Sequence, residues 1–112
     1  MRILGFSQKW LKLSLPTFTT FRLPRKDKDW FTGEDVQIVF LPRSKKRKIL
    51  GIGTILSVET MVFDRITELE AFLDGFENQR DMLRWLSKTH HGFTNTSLIN
   101  KITVGYRRRI ET

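Results

Sequence analysis

Val36-Gln-Ile-Val-Phe-Leu41 and Ile49-Leu-Gly-Ile-Gly-Thr-Ile-Leu-Ser-Val58 are two apolar, strand-like runs, and Arg43-Ser-Lys-Lys-Arg-Lys48 lies between them. Two such runs joined by a short connection predict a β-hairpin, with the cations at its tip or along its flanks. The first run carries apolar residues on both parities, so both faces of that strand should be covered and the strand should be central. In the second, Gly51 and Gly53 stand two residues apart and therefore on one face, where missing side chains permit a bend or a close approach by another backbone. No third glycine and no helix start follows them, so they do not form a dinucleotide fingerprint. Five cations in six residues cannot be buried together. They are tolerable in water and favourable beside a polyanion, where each displaces a condensed counterion. Read alone, the run also fits a solvated turn.

On the N-terminal side, Ile3 to Phe6 suits a first strand, while Lys9 to Leu15 fits either a strand or a short helix that Pro16 ends. Thr17-Phe-Thr-Thr-Phe-Arg-Leu23 is rich in β-branched and aromatic residues. Period-two geometry puts Phe18, Thr20 and Arg22 on one side of it and Thr19, Phe21 and Leu23 on the other. Pro24 to Asp29 reads as a charged loop, and Thr32 to Asp35 as a turn.

Helical signals begin only after residue 66. Thr67 with Glu70 is a capping box, and Leu69, Phe72 and Leu73 form an apolar stripe that stops at Gly75. Asn78 caps a second helix whose buried side takes Met82, Leu83, Leu86 and Trp85, with Gly92 as the stop. His90 and His91 fall at its C-terminal end, where protonated imidazole interacts favourably with the helix dipole. Ser97 to Tyr106 returns to strand character and Arg107-Arg-Arg109 follows. The expected fold is a small α+β domain over residues 1–112, a partly open five- or six-stranded barrel with two short helices inserted before the last strand.

The chain has 112 residues and a net charge of +8, unevenly placed. Residues 1–58 hold twelve Lys/Arg and four Asp/Glu; residues 59–81 hold two and seven; residues 82–112 hold six and one. One acidic segment within a basic chain implies a face that attracts phosphate and a face that repels it. The absence of cysteine excludes disulfides and Cys-based zinc or nucleophilic chemistry. The adjacent imidazoles of His90 and His91 do not suggest a dedicated metal site, and no cofactor is expected. The start Met-Arg-Ile-Leu-Gly-Phe lacks the apolar core of a signal peptide, and no apolar run approaches the roughly 20 residues that span a bilayer. A cytoplasmic monomer without membrane contact is the expectation.

Phe18-Thr-Thr-Phe-Arg22, Gly33-Glu-Asp-Val-Gln-Ile-Val39 and Ile66-Thr-Glu-Leu-Glu-Ala-Phe-Leu-Asp-Gly-Phe76 together resemble an ASCH domain of the PUA-like β-barrel superfamily. A helix with Leu83, Trp85 and Leu86 and a closing strand complete the order, so the resemblance covers nearly the whole chain. It implies a barrel with helices beside it and a cleft of a kind proposed to bind RNA. Some ASCH relatives are small amidohydrolases acting on acylated cytidine, with a lysine, a threonine and a glutamate. In the family pattern Gly-x-Lys-x-x-Glu-x-Arg the arginine falls on Arg22. Thr20 takes the glutamate position, where the amidohydrolases also carry threonine. Thr17 takes the lysine position, so that lysine is missing. Lys9, Lys12 or Lys26 could replace it in space, and the nearest acids, Asp74 and Glu77, lie out of register.

The reading that follows is a nucleic-acid-binding module. Arg22, Arg25, Lys26 and Lys28 would sit beside the cleft, Arg43, Lys45, Lys46, Arg47 and Lys48 on the hairpin, and Arg107, Arg108 and Arg109 at the end. Cations hold phosphate, and an exposed ring, Trp10 or better Trp30, would stack on unpaired bases. RNA is preferred to DNA only through the resemblance. The alternatives are a small amidohydrolase acting on an acylated nucleoside such as N4-acetylcytidine, with Thr20 as its candidate catalytic residue, and a binder of acidic proteins or anionic surfaces. For Arg22 the structural alternative is an ion pair with Asp27, Asp29 or Asp35; for the terminal arginines it is a solvated tail.

Overall fold

The computed structural model describes residues 1–7 and 11–110. Five strands, β1 (Arg2–Phe6), β2 (Thr17–Arg22), β3 (Asp35–Phe40), β4 (Lys48–Val62) and β5 (Leu98–Arg109), form one sheet in the order β1-β3-β4-β5-β2. The first pairing is parallel and the other three antiparallel. Helices α1 (Glu68–Leu73) and α2 (Gln79–Thr89) stand between β4 and β5, as the capping signals require. Thr67 accepts from the Glu70 amide while Glu70 reaches back to the Thr67 amide, and Asn78 accepts from the Asp81 amide. The ambiguous Leu11–Ser14 segment is a 3₁₀ turn; the lysine and tryptophan before it, Lys9 and Trp10, lie outside the described residues.

The β3–β4 hairpin forms with Phe40 opposite Lys48, and its basic connection is exposed, as its charge demands. β3 is internal but not central; β4, the longest strand, takes the middle. Bulges at Ile52/Gly53 and Ile55/Ser57 bend β4 against β5. A Cβ on Gly53 would stand 2.7 Å from a Val104 methyl, so the close approach inferred for this glycine is between strands.

The barrel does not close. β1 and β2 are the free edges of an open sheet, each paired on one side only. The sheet still curls on itself, since the Arg22 side chain on β2 donates to the Gly5 carbonyl of β1, the opposite edge. Leu4, Phe18, Val36, Ile55 and Val104 fill the inside of this curl. A second core, with Phe21, Phe63, Met82, Leu86 and Ile99, lies between the sheet and the helices. β2 therefore contributes to both cores, which explains its apolar residues on each parity.

The helices correct the expected burial. Only Ala71 of α1 is buried, in the second core; Leu69, Phe72 and Leu73 are 60–64% exposed. On α2, Met82 and Leu86 are buried and Leu83 packs beside them, but Trp85 is 49% exposed. Among the described residues no helix is long and apolar enough to cross a membrane.

Candidate functional site

A cavity of about 540 Å³ occupies the seam where the sheet fails to close. One wall is the end of β1, Gly5 to Ser7; another is the end of β2, Thr20 to Leu23; the third comes from Asp74, Phe76 and Trp85 beside the helices. Antiparallel pairing of β2 with β5 fixes Thr20 opposite Ile102 and Arg22 opposite Asn100, so rigid backbone carries both side chains. Arg22 bridges the seam: its Nη2 donates to the Gly5 carbonyl at 2.8 Å and its Nε to the Thr20 hydroxyl at 3.3 Å. Its guanidinium carbon lies 4.7 Å from the Phe6 ring centre. Burial pushes the Arg22 pKa down to about 10 against the opposing field of Asp74, which leaves it charged at neutral pH.

Lys12 and Asp74, 62 residues apart in sequence, form an ion pair in the same cavity, each side chain only 10% exposed. Lys12 Nζ also donates to the Thr19 carbonyl at 3.0 Å. Burial pulls the Lys12 pKa down and pushes that of Asp74 up, while the attraction between them works in the opposite sense on both. Thr20, 97% buried, completes the group. A hydroxyl, an amine, a carboxyl and a guanidinium thus converge on one cleft, a concentration of perturbed groups typical of functional sites. Lys12 is one of the lysines named as a replacement in space for the missing lysine, and Asp74 is one of the two acids that lie out of register in the sequence.

The predicted nucleic-acid contacts divide into those brought together and those engaged elsewhere. Arg22 lines the seam cavity and also a second depression of about 780 Å³, which shares Gly5, Phe6 and Ser7 and ends at Arg43 and Ser44. Arg25 lies at the rim of the first cavity, in an exposed pair with Asp27 at 3.1 Å. Lys26 is exposed, and Lys28 is exposed with its ammonium 4.9 Å from the Phe31 ring centre. Arg43, Lys45, Lys46 and Arg47 are exposed on the hairpin, with Arg47 only in a long contact to Gln37, and Lys48 opens β4 half-buried.

Arg107, Arg108 and Arg109 are not a solvated tail; they end β5. Arg109 pairs with Gly51, three residues from Lys48, so hairpin and terminal cations share one end of the sheet. Arg107 binds Asp35 at 2.7 Å and Arg109 donates to the Leu15 carbonyl at 2.7 Å, while Arg108 remains exposed. The acids proposed as partners of Arg22 are thereby occupied: Asp27 by Arg25, Asp35 by Arg107, and Asp29 by the Asn100 amide at 2.9 Å.

Trp30 is not a stacking platform. It is 93% buried in the first core beneath Arg2, whose guanidinium carbon stands 4.4 Å from the ring centre. Arg2 also clasps Glu34 through two bonds of 2.6 Å and donates to the Asp29 carbonyl, so the charged loop is folded down over the ring it carries. Phe76 and Trp85 take the mouth of the cavity instead, with ring centres 5.8 Å apart. The sequence assigned Trp85 to the buried side of α2; its place on the flank of the Met82–Leu86 stripe is the signal that it is only partly covered. No family model matches this chain, and no curated protein or solved structure matches it.

Proposed function

We propose that the chain binds single-stranded nucleic acid, RNA in preference to DNA, along the seam and around the basic hairpin. The observation that carries this reading is the continuity of the two depressions: Arg22 lines both, one reaching Arg25 and the other Arg43. From Arg43 a strand meets the exposed Lys45 and Lys46, which form no ion pair among the described residues. A backbone phosphate can displace Asp27 from Arg25 at little cost, because a pair so exposed to water is weakly held. The preference for RNA rests on the resemblance to ASCH domains of the PUA-like superfamily, which also supplies the finer reading of the open sheet as an incomplete barrel of that type. Titration against single-stranded and duplex RNA and DNA at two salt concentrations tests it. Neutralising about four phosphates gives a slope of log affinity against log salt of roughly −3 on single strands. Absence of binding to every nucleic acid at low salt overturns the reading.

A second reading is favoured by one specific observation, the placing of Lys12 and Asp74 in the cavity that Thr20 lines. In it the Thr20 hydroxyl attacks the acyl carbon of an N-acylated nucleoside, a neutral Lys12 amine takes the hydroxyl proton and returns it to the departing nitrogen, and the amide C–N bond breaks to leave the acyl group as an ester on Thr20. Water then releases the acyl group. Against it, the Thr20 oxygen already accepts from Arg22. If the protein deacylates N4-acetylcytidine and Thr20→Ala abolishes that turnover, hydrolysis replaces simple binding.

A further inference from the structure

We propose that Phe76 and Trp85 form a stacking subsite for one unpaired nucleobase at the mouth of the seam cavity, with the adjoining phosphate on Arg22 and Arg25. The inference rests on the nucleic-acid reading above and names the part of the ligand that the cations cannot recognise.

Trp85 is 49% exposed although it belongs to a helix with an adequate buried stripe of its own. Its ring and that of Phe76 are tilted 54° to each other, so they form an open corner and not a closed stack. Both line the cavity, whose volume of about 540 Å³ lies within the range of small-molecule sites. Trp30 lines it too, and its buried indole Nε1 finds no hydrogen-bond partner among the described residues.

Charge then orients the ligand. Arg22 and Arg25 lie toward the strand edge, while the carboxylate of Asp74 stands on the helix side beside Phe76. Phosphate is attracted to the two arginines, whereas Asp74 is already neutralised by Lys12 and offers phosphate no cation, which leaves the base for the aromatic corner. A base within a duplex already stacks on its neighbours and cannot enter, so the subsite selects unpaired nucleotides. Leu69, Phe72 and Leu73, exposed on α1, are explained by none of this, and they supply the competing occupant, a protein surface.

Two measurements test the proposal, one without any substitution. A short abasic sugar-phosphate oligomer should bind the parent protein roughly 5- to 100-fold more weakly than oligoadenylate of equal length, with the same salt slope. Trp85→Ala should reproduce that loss on oligoadenylate, leave duplex affinity and melting temperature nearly unchanged, and be largely rescued by Trp85→Phe. Equal binding of the abasic and adenylate chains overturns the subsite, as does a Trp85→Ala variant that keeps its affinity or loses single strand and duplex alike. A variant that keeps RNA affinity but loses self-association in sedimentation assigns the rings to a protein interface instead. If the parent binds no nucleic acid at all, the underlying reading fails and the subsite with it.

Discussion

Replacing Lys45, Lys46, Arg47 and Lys48 together by Ser should lower affinity for single-stranded RNA about 100-fold at 0.1 M monovalent salt and flatten the salt slope by about 2. Each phosphate neutralised on a single strand adds roughly 0.7 to that slope, so freeing about three phosphates at once gives both figures. Lys48 adds little to them because it is half-buried at the start of β4, whereas Lys45, Lys46 and Arg47 are exposed. All base sequences should suffer alike, since a cation on phosphate carries no sequence information. The melting temperature should hardly move: among the described residues Arg47 is the one of the four whose side chain forms a hydrogen bond, to Gln37 at 3.5 Å. Exposed turn positions of that kind shift stability within about 0.5 kcal/mol. Fluorescence anisotropy across a salt series reads both quantities. Unaltered affinity would make the hairpin run a solvated turn and return the whole electrostatic burden to the seam.

The largest effect on stability is expected at Lys12. Lys12→Met removes the partner of Asp74 while its carboxylate remains nine-tenths covered. Breaking a buried pair on one side leaves an uncompensated charge, at a cost of about 3 kcal/mol. For a domain of this size that lowers the melting temperature by roughly 12–15 °C. Replacing both, Lys12→Met with Asp74→Leu, should recover most of the loss, because two apolar side chains can fill the place of an ion pair without leaving a charge behind. Nucleic-acid affinity should fall further in the single variant than in the double one, since a lone Asp74 carboxylate would oppose the field of Arg22 in the same cavity. Thermal denaturation of the two variants decides the matter; a single variant that melts with the parent would show that the pair bears no structural load.

The hairpin needed nothing beyond Val36 to Val58: apolar runs on either side of a charge cluster dictate a strand, an exposed turn and a strand wherever they occur. The same holds for the Thr67–Glu70 capping box and the Asn78 cap, whose partners stand three residues away. Their energetics are local, so the sequence displays both halves of each interaction at once.

What the sequence could not display is every feature whose halves are far apart. Trp30 sits in a charged stretch and looks exposed by its neighbours, yet Arg2 and Glu34 fold that stretch over the ring and bury it. Trp85 sits in an amphipathic helix and looks buried, yet α2 has enough cover in Met82 and Leu86 to leave it at the cavity mouth. The Lys12–Asp74 pair spans 62 residues, and the bridge from Arg22 to Gly5 joins two strands that share no ladder. Strand order shows the same division: alternation and β-branched residues reveal that β1 and β2 are strands, but not that they end as the two free edges of an open sheet. Propensity, capping and charge act over a few residues and are written in the chain. Burial and the meeting of distant side chains depend on which surfaces the folded sheet brings face to face, and only the tertiary structure decided those.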